Sequence, residues 1–456
     1  MSARILLLHG LLDGSRQTNI DYSLALARYP HGHEVHVGNI LAPLDSSIKN
    51  TRFDALVITY EVAAMRTLPM WPWIVQRITQ LRKLSDKFAI FVQDDYTFSK
   101  PIDELACRLE AAAIFSPLSE YSDLLYPKSL QQGIPIEPVL TGYVDTDKAT
   151  FWKANAKPLS GRPLDLGQRI TFLPPEWGKG GQTKALVAYS LAEIATARGF
   201  QVDVQSSADS ILTGNAWLEF LAKCRFTVGA RGGSSRIDYA GVGARSDARK
   251  RILRRLKLSL RSRQPHKFVR TGDFRAIGPR VFEAAITGTC QILVRDSYLP
   301  EMQPWEHYIP VAPDLSDVDL VLDAMSDLDR CSEIVDNARR SLVDESPRYH
   351  YETMVLLTLH ALGLAPVAAQ DQGEVIDLVS SLRSFLELPE SVRFKLRKAQ
   401  AHHAAKRVRA TGSTRDTQND SGTDLGTWVE AIAWPWCAPL PDSPGGSPRD
   451  SGKVTP

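Results

Sequence analysis

One stretch limits the fold of this chain more than any other: Ala276–Asp314. It opens with Ala276-Ile-Gly-Pro-Arg-Val-Phe-Glu-Ala-Ala-Ile-Thr-Gly-Thr-Cys-Gln-Ile-Leu-Val. Gly278-Pro279 reads as a turn into a helix, because proline is favoured at the first helical position, where its missing N–H is not needed. Val281, Phe282, Ala285 and Ile286 then form an apolar stripe at helical spacing. Gly288 is placed to end that helix in a left-handed conformation. Gln291–Val294 reads as a short buried strand. A charged group just inside a helix start, beside a strand end of an α/β unit, sits where such folds bind phosphates and nucleotides.

Strand–helix alternation precedes this stretch. Expected strands are Arg4–Leu8, Val35–Val37, Asp54–Tyr60, Phe88–Val92, Ala112–Phe115 and Glu137–Leu140. Expected helices between them are Thr18–Tyr29, Trp71–Leu84, Ile102–Leu109 and Glu120–Leu130. Strands that are apolar throughout, such as Asp54–Tyr60, suit parallel sheets covered on both faces. A polar, Pro/Gly-bearing linker is expected over Lys153–Gly167. A second alternation follows: strand Arg169–Leu173, helix Gln182–Arg198, strand Phe200–Val204, helix Asn215–Lys223 and strand Phe226–Val228. The predicted fold is α/β, with two Rossmann-like doubly wound domains at 1–152 and 165–365. Beyond them, 366–409 reads as a helical extension, and 410–456, rich in Ser, Gly, Thr, Asp and Pro, as a disordered tail.

The motif at Ala276–Asp314 resembles the donor-binding half of GT-B glycosyltransferases. It is most similar to the CgeB-like, spore-maturation-type group of bacterial family 1 enzymes. The resemblance rests on Pro279-Arg-Val-Phe-Glu-Ala284, the Gly288-Thr289 that follows, the apolar strand and the later His307-Tyr-Ile-Pro310. It implies a nucleotide-sugar donor whose ribose hydroxyls are held by Glu283. Taken alone, Glu283 is also a helix-start acid that complements the dipole. Arg280 lies one turn before it and can face a diphosphate, since a guanidinium grips phosphate oxygens in a fork. Many related retaining enzymes carry a second Glu eight residues earlier. That position is Arg275 here.

Other candidates flank the same cleft. Gly229-Ala-Arg231-Gly-Gly-Ser234-Ser235 follows a strand, and its small residues and hydroxyls can cradle an anion. Gly178-Lys179-Gly-Gly-Gln-Thr-Lys184 precedes a helix and lacks the Gly-Lys-Ser/Thr of a phosphate loop. Lys179 or Lys184 can still neutralise a diphosphate. Tyr298 and His307 follow the Glu283 helix and are donor-contact candidates. In the first domain, Asp94 and Asp95 end a strand on the cleft side, in a Gln-Asp-Asp-Tyr that is similar to the family's Gln-Asp-Glu-Tyr. Either can bind acceptor hydroxyls or serve as general base. His9, after the first strand, is a further catalytic candidate.

Charge and cysteine usage narrow the class. Ala244–Arg270 carries eleven Lys/Arg against Asp247, a local +10 in a chain of net charge +2. Ile252, Leu253, Leu256 and Leu260 form an apolar stripe there, so this helix can lie on an anionic membrane surface or pack its stripe on the core. No base-reading pattern accompanies it, so specific nucleic-acid binding is not expected. Five scattered cysteines without a Cys-x-x-Cys fit a reducing cytoplasm. Met1–Leu12 is interrupted by His9 and Gly10 and reads as a strand rather than a signal peptide. Asp145-x-Asp147, Asp317-x-Asp319 and Asp327-x-Asp329 lack the strand setting of a metal pair, and no metal or cofactor is expected. The resulting expectation is a cytoplasmic, metal-independent glycosyltransferase acting on a glycan or glycolipid acceptor in bacterial cell-surface polysaccharide assembly, peripheral at the inner face of the cell membrane where 244–270 lies on that surface. The competing expectation is a non-catalytic GT-B-like scaffold that binds a nucleotide or glycan.

Overall fold

The structure is a computed structural model that describes residues 2–12, 14–171, 177–241 and 269–367. Most of the basic segment 244–270 and nearly all of 366–456 lie outside the described residues.

Thirteen strands occur among the described residues. In the first half they are β1 (Arg4–His9), β2 (Glu34–Asn39), β3 (Phe53–Ile58), β4 (Ser85–Phe91), β5 (Ala113–Ser116) and β6 (Ile136–Pro138). In the second they are β7 (Leu164–Arg169), β8 (Val202–Gln205), β9 (Cys224–Gly229), β10 (Gly232–Asp238), β11 (Val269–Ala276), β12 (Cys290–Val294) and β13 (Ile309–Val311). The first sheet is parallel, in the order β2-β1-β3-β4-β5-β6. The second is parallel, in the order β13-β12-β9-β7-β8. Each sheet therefore starts at an inner strand, steps out to one edge, and returns past its start. The crevice at the strands' carboxyl ends opens where the order reverses.

Alternation along the strands fills both faces. Leu6, Leu8, Leu56 and Ile58 enter one core, and Ile5, Leu7, Ala55 and Val57 the other. Their uninterrupted apolar run is what a doubly covered parallel sheet requires. The two-domain α/β layout is as expected. At the key motif, Arg280–Thr287 is helical and Gly288 caps it at φ 65°, in the left-handed region.

Three elements differ from what the sequence pattern predicts. The first strand of the second half is Leu164–Arg169, which overlaps the end of the expected linker 153–167, rather than Arg169–Leu173. The apolar Ile170–Leu173 run suggested the later strand. The real strand is polar because Gln168 is a buried structural amide, and Gly167 lies so close to Cys224 that a Cβ would meet its sulfur at 2.2 Å. The expected helix Glu120–Leu130 is broken into Ser122–Leu125 and Pro127–Gln131, because Pro127 cannot continue the ladder. The expected glycine-rich loop 229–235 runs into β10, which pairs antiparallel with β11.

The two halves exchange elements. Helix Thr146–Asn155 sends Ala149 into a cluster with Val281, Phe282 and Ala285 of the second half. Helix Tyr351–Ala361, within the range expected for the second domain, buries Met354, Val355 and Leu359 against Ile5, Leu7 and Val57. The β10–β11 hairpin also leans on the first half. Phe98 N donates to Asp238 O at 2.7 Å, and Asp238 N donates to Tyr96 O at 2.7 Å. Trp177, Ile237 and Phe274 complete the first-half core.

Candidate functional site

A cavity of about 170 Å³ opens between the two halves. Its second-half wall carries Arg169, Trp217, Arg280 and Glu283, and its first-half wall carries Arg16, Gln17, Thr18 and Asp21.

Glu283 sits in the first turn of the helix Arg280–Thr287, where the dipole favours an acid. The Trp217 indole N–H donates to one carboxylate oxygen at 2.7 Å. The Thr18 hydroxyl, from the first half, donates to the other. Arg280 lies one turn away and donates to the Gln168 side-chain oxygen and the Arg169 carbonyl. Its guanidinium stacks over the Trp217 ring, 4.7 Å from the centroid. Both of its acceptors are neutral. Burial, the nearby Arg16 and only partial relief from Glu283 lower the Arg280 pKa to about 10. Lys184, on the helix Gly178–Ala197, is also pulled well below the ordinary lysine value, by burial, then Arg280, with Glu283 opposing and Arg16 adding to the shift. Three cations thus surround one carboxylate.

The pocket's other acids are occupied. Asp21 accepts from Gln17 at 2.8 Å and from Lys148. Asp145 accepts from Arg28 and caps the helix that follows it. Arg169 pairs with Asp203 at 2.8 Å.

Glu283 and Arg280 therefore share one wall, and the remaining sequence candidates lie elsewhere. Ser235 Oγ accepts from Gly180 N at 2.8 Å, and Ser234 Oγ donates to Trp177 O at 3.1 Å. These hydroxyls fasten the glycine-rich helix start to β10. Lys179 is exposed at that helix start, off the pocket wall. Arg231 donates to the Arg275 carbonyl and lies 3.7 Å from Asp296. Arg275 pairs with Asp296 at 2.8 Å and with Asp273. Tyr298 donates to Val294 O at 2.9 Å. His307 is buried; it accepts from Gln303 N at 3.1 Å and its other ring nitrogen lies 3.0 Å from Ser341 Oγ.

In the first half, Asp94 and Asp95 part company. Asp94 is exposed, holds a left-handed φ of 52° and accepts from the Tyr96 hydroxyl at 2.7 Å. Asp95 is fully buried and accepts from Tyr126 at 2.9 Å and from Ser116. Burial raises its pKa. His9 is fully buried too; it accepts from Leu11 N at 3.2 Å, and burial lowers its pKa to about 4. Asp94, Asp95 and His9 are not part of the cavity wall.

Nothing in the sequence pattern marks Trp217, Thr18, Arg16 or Arg66 as site residues. Trp217 looked like one more apolar residue of a short helix. Arg66, 3% exposed, donates to the carbonyls of Ala63, Gln93, Asp94, Thr97 and Phe98 and so shapes the turn that presents Asp94. A short Met65-Arg-Thr67 stretch gives no signal of that role.

Among the described residues, no helix is long and apolar enough to cross a membrane, and no group of three or more His, Cys, Asp or Glu side chains is arranged to hold a metal ion. No family model and no curated protein sequence matches the chain. Solved structures do. An α-glucosyltransferase in complex with UDP and a 13-mer DNA containing an HMU base is 12% identical, with 79% of this chain and 99% of that one covered and a TM-score of 0.47. The Anabaena HepE protein in complex with UDP and glucose is 11% identical over 79% of this chain and 99% of its own, with a TM-score of 0.42. A sucrose-phosphate synthase from Thermosynechococcus elongatus is 12% identical over 78% and 98%, with a TM-score of 0.38.

Proposed function

We propose that the protein is a glycosyltransferase that takes a sugar from a nucleoside-diphosphate donor bound in the interdomain cavity. One observation carries this reading: a buried carboxylate, an indole and a cation converge on a single pocket wall at Glu283, Trp217 and Arg280, with Lys184 close behind them. A carboxylate suits two ribose hydroxyls, and the cations suit the diphosphate. In the transfer, the bond between the anomeric carbon and the diphosphate oxygen breaks, and the acceptor hydroxyl oxygen bonds to that carbon. The hydroxyl proton passes to a base; Asp94, in the turn after β4 and off the cavity wall, is the proposed base, and the acceptor would bridge the cavity and that turn. Arg280 and Lys184 would stabilise charge developing on the leaving diphosphate, and apposed domains would exclude water.

The finer proposals are a hexosyl donor, metal-independent transfer, and a glycan or glycolipid acceptor in cell-surface polysaccharide assembly at the inner face of a membrane. In this reading the basic segment 244–270 supplies the membrane contact. The test is calorimetric titration with a panel of nucleoside diphosphates, then donor turnover with and without chelator. Glu283→Ala is expected to weaken nucleotide binding by about tenfold or more, since a charge-assisted contact is lost. Unchanged affinity would defeat the assignment. Turnover that disappears with chelator would remove metal independence.

One observation favours the non-catalytic alternative. Arg275, where the resemblance implies a donor-sugar carboxylate, is tied to Asp273 and Asp296. Nucleotide binding without turnover across a broad donor panel would support it.

A further inference from the structure

We propose that the β10–β11 hairpin of the second half is a positioning element for transfer: its Asp238–Tyr239 main chain straps the first-half turn 94–100 into the shape that presents Asp94. The proposal rests on the transfer reading with Asp94 as base and adds what holds that base in place.

The turn needs outside support. Asp94 and Phe98 both hold left-handed φ values, 52° and 55°, a region that residues with a Cβ adopt at a steric cost. Such a conformation persists only where its surroundings over-determine it. Thr97 N donates to Asp94 O at 3.2 Å within the turn. From the first-half side, Arg66 ties the carbonyls of Gln93, Asp94, Thr97 and Phe98.

The other side of the turn is held by the second half. Asp238 N donates to Tyr96 O at 2.7 Å, Phe98 N donates to Asp238 O at 2.7 Å, and Lys100 N donates to Tyr239 O at 3.0 Å. Gly241, at φ 68°, lies so close to the Phe98 ring that a Cβ would come within 2.4 Å of it. The Tyr239 hydroxyl donates to Asp103 at 2.8 Å, and the Tyr121 hydroxyl donates to the Asp273 carbonyl at 2.9 Å. Both arms of the hairpin are thus fastened to the first half. A side-chain route reaches the base as well. Trp177, just before the helix Gly178–Ala197, packs edge-to-face on Tyr96 with ring centroids 4.7 Å apart, and the Tyr96 hydroxyl donates to Asp94 at 2.7 Å. Ser234 of β10 donates to Trp177 O, so the hairpin and the helix start bear on Tyr96 together.

Chain order gives this contact its consequence. The hairpin leaves the carboxyl end of β9, and the turn leaves the carboxyl end of β4. β11 ends at Ala276, and the helix carrying Arg280 and Glu283 starts at Arg280. The donor wall and the Asp94 turn are therefore held to the same pair of strands, which fixes the separation between donor and base. A catalytic group displaced by about 1 Å loses on the order of 100-fold in rate.

The test compares wild type with Asp238→Pro, which deletes the N–H given to Tyr96 O, and Asp238→Asn, which keeps it. Hydrogen exchange at the Phe98 and Lys100 amides reads the strap. Turnover of UDP-, GDP- and ADP-linked hexoses, and calorimetry with the matching nucleoside diphosphates, separate rate from binding. Thermal unfolding checks that each variant is folded; should Asp238→Pro not fold, Trp177→Leu carries the same comparison through the Tyr96 ring. Asp238→Pro is expected to speed exchange at both amides and lower kcat about 10- to 100-fold, with nucleoside-diphosphate affinity within about twofold of wild type. Asp238→Asn should match wild type in exchange and kcat. Faster exchange with unchanged kcat in Asp238→Pro would overturn the proposal, and so would unchanged exchange. Equal losses of kcat and affinity would overturn it too, since they indicate a general distortion. A wild type that turns over no donor would remove the transfer reading and the catalytic role with it, while the exchange difference between Asp238→Pro and Asp238→Asn would still decide whether the hairpin holds the turn.

Discussion

The Thr18 hydroxyl of the first half donates to the Glu283 carboxylate of the second. This bond spans the cavity, and with Trp217 it satisfies both oxygens of a carboxylate that is 8% exposed. The proposed ribose acceptor thus already has a donor from the opposite domain. A ribose that binds Glu283 must share or replace that donor.

Thr18→Val removes the hydroxyl at nearly constant volume. A buried acceptor left unsatisfied costs about 1–3 kcal/mol. The variant is therefore expected to unfold at a midpoint a few degrees below wild type in differential scanning calorimetry. With saturating nucleotide the gap should shrink, because ribose hydroxyls take over the vacated acceptor. A gap that stays the same with nucleotide would mean that Thr18 and the ligand do not compete.

Arg66 organises the Asp94 turn entirely through backbone carbonyls. Arg66→Met leaves several of them without their donor, at Ala63, Gln93, Asp94, Thr97 and Phe98. The expected cost is at least about 3 kcal/mol, from several buried acceptors losing one shared donor. Hydrogen exchange should rise at the amides of Thr97 and Phe98 more than in β1 or β3. Uniform protection across the first half would refute the local role.

His9 makes acid stability testable. Its folded pKa of about 4 lies below the unfolded value of 6.5, with burial as the cause. Between those values the unfolded chain binds a proton that the folded protein excludes. Stability should therefore fall as pH drops from 6.5 to 4, by up to about 3 kcal/mol. Glu61 and Asp95, whose pKa values burial raises, act in the opposite sense over the acid range. The comparison of wild type with His9→Asn isolates the histidine, since an amide oxygen can still accept from Leu11 N. Denaturant midpoints measured from pH 7 to 4 should fall less steeply in the variant.

How far the sequence reaches depends on the kind of force involved. Apolar runs and glycine caps act locally, so the two sheets and the Gly288 cap were legible. Leu164–Arg169 was not, because its strand character comes from long-range partners. Gly167 is needed for the approach of Cys224, and Gln168 is buried to bond Val228 and Arg280. The site divides the same way. Glu283 and Arg280 stand one helical turn apart and announce each other. Trp217 and Thr18 reach Glu283 from 66 and 265 residues away, and nothing in their neighbours marks them. Ser234, Ser235 and His307 have the chemistry of ligand-binding groups, yet all three are taken up by the protein's own polar atoms, which a sequence cannot reveal.

Asp94 and Asp95 are adjacent in sequence and opposite in setting, and that contrast gives the decisive catalytic test. Asp94 is exposed and bonded only to Tyr96 through its side chain, which leaves room for an acceptor hydroxyl. Asp95 is buried between Ser116 and Tyr126 and near Arg66. Asp94→Asn keeps shape and removes the base. Its turnover is expected to fall about 10²–10⁴-fold, the usual contribution of general base catalysis, while nucleotide affinity stays within about twofold of wild type. Asp95→Asn should lower the unfolding midpoint and shift turnover only as far as stability falls. Steady-state kinetics on both variants, at a temperature where each is folded, separates the roles. A folded Asp95→Asn that loses turnover, beside an Asp94→Asn that keeps it, would move the proposed base into the buried network and require the turn shaped by Arg66 to open during catalysis.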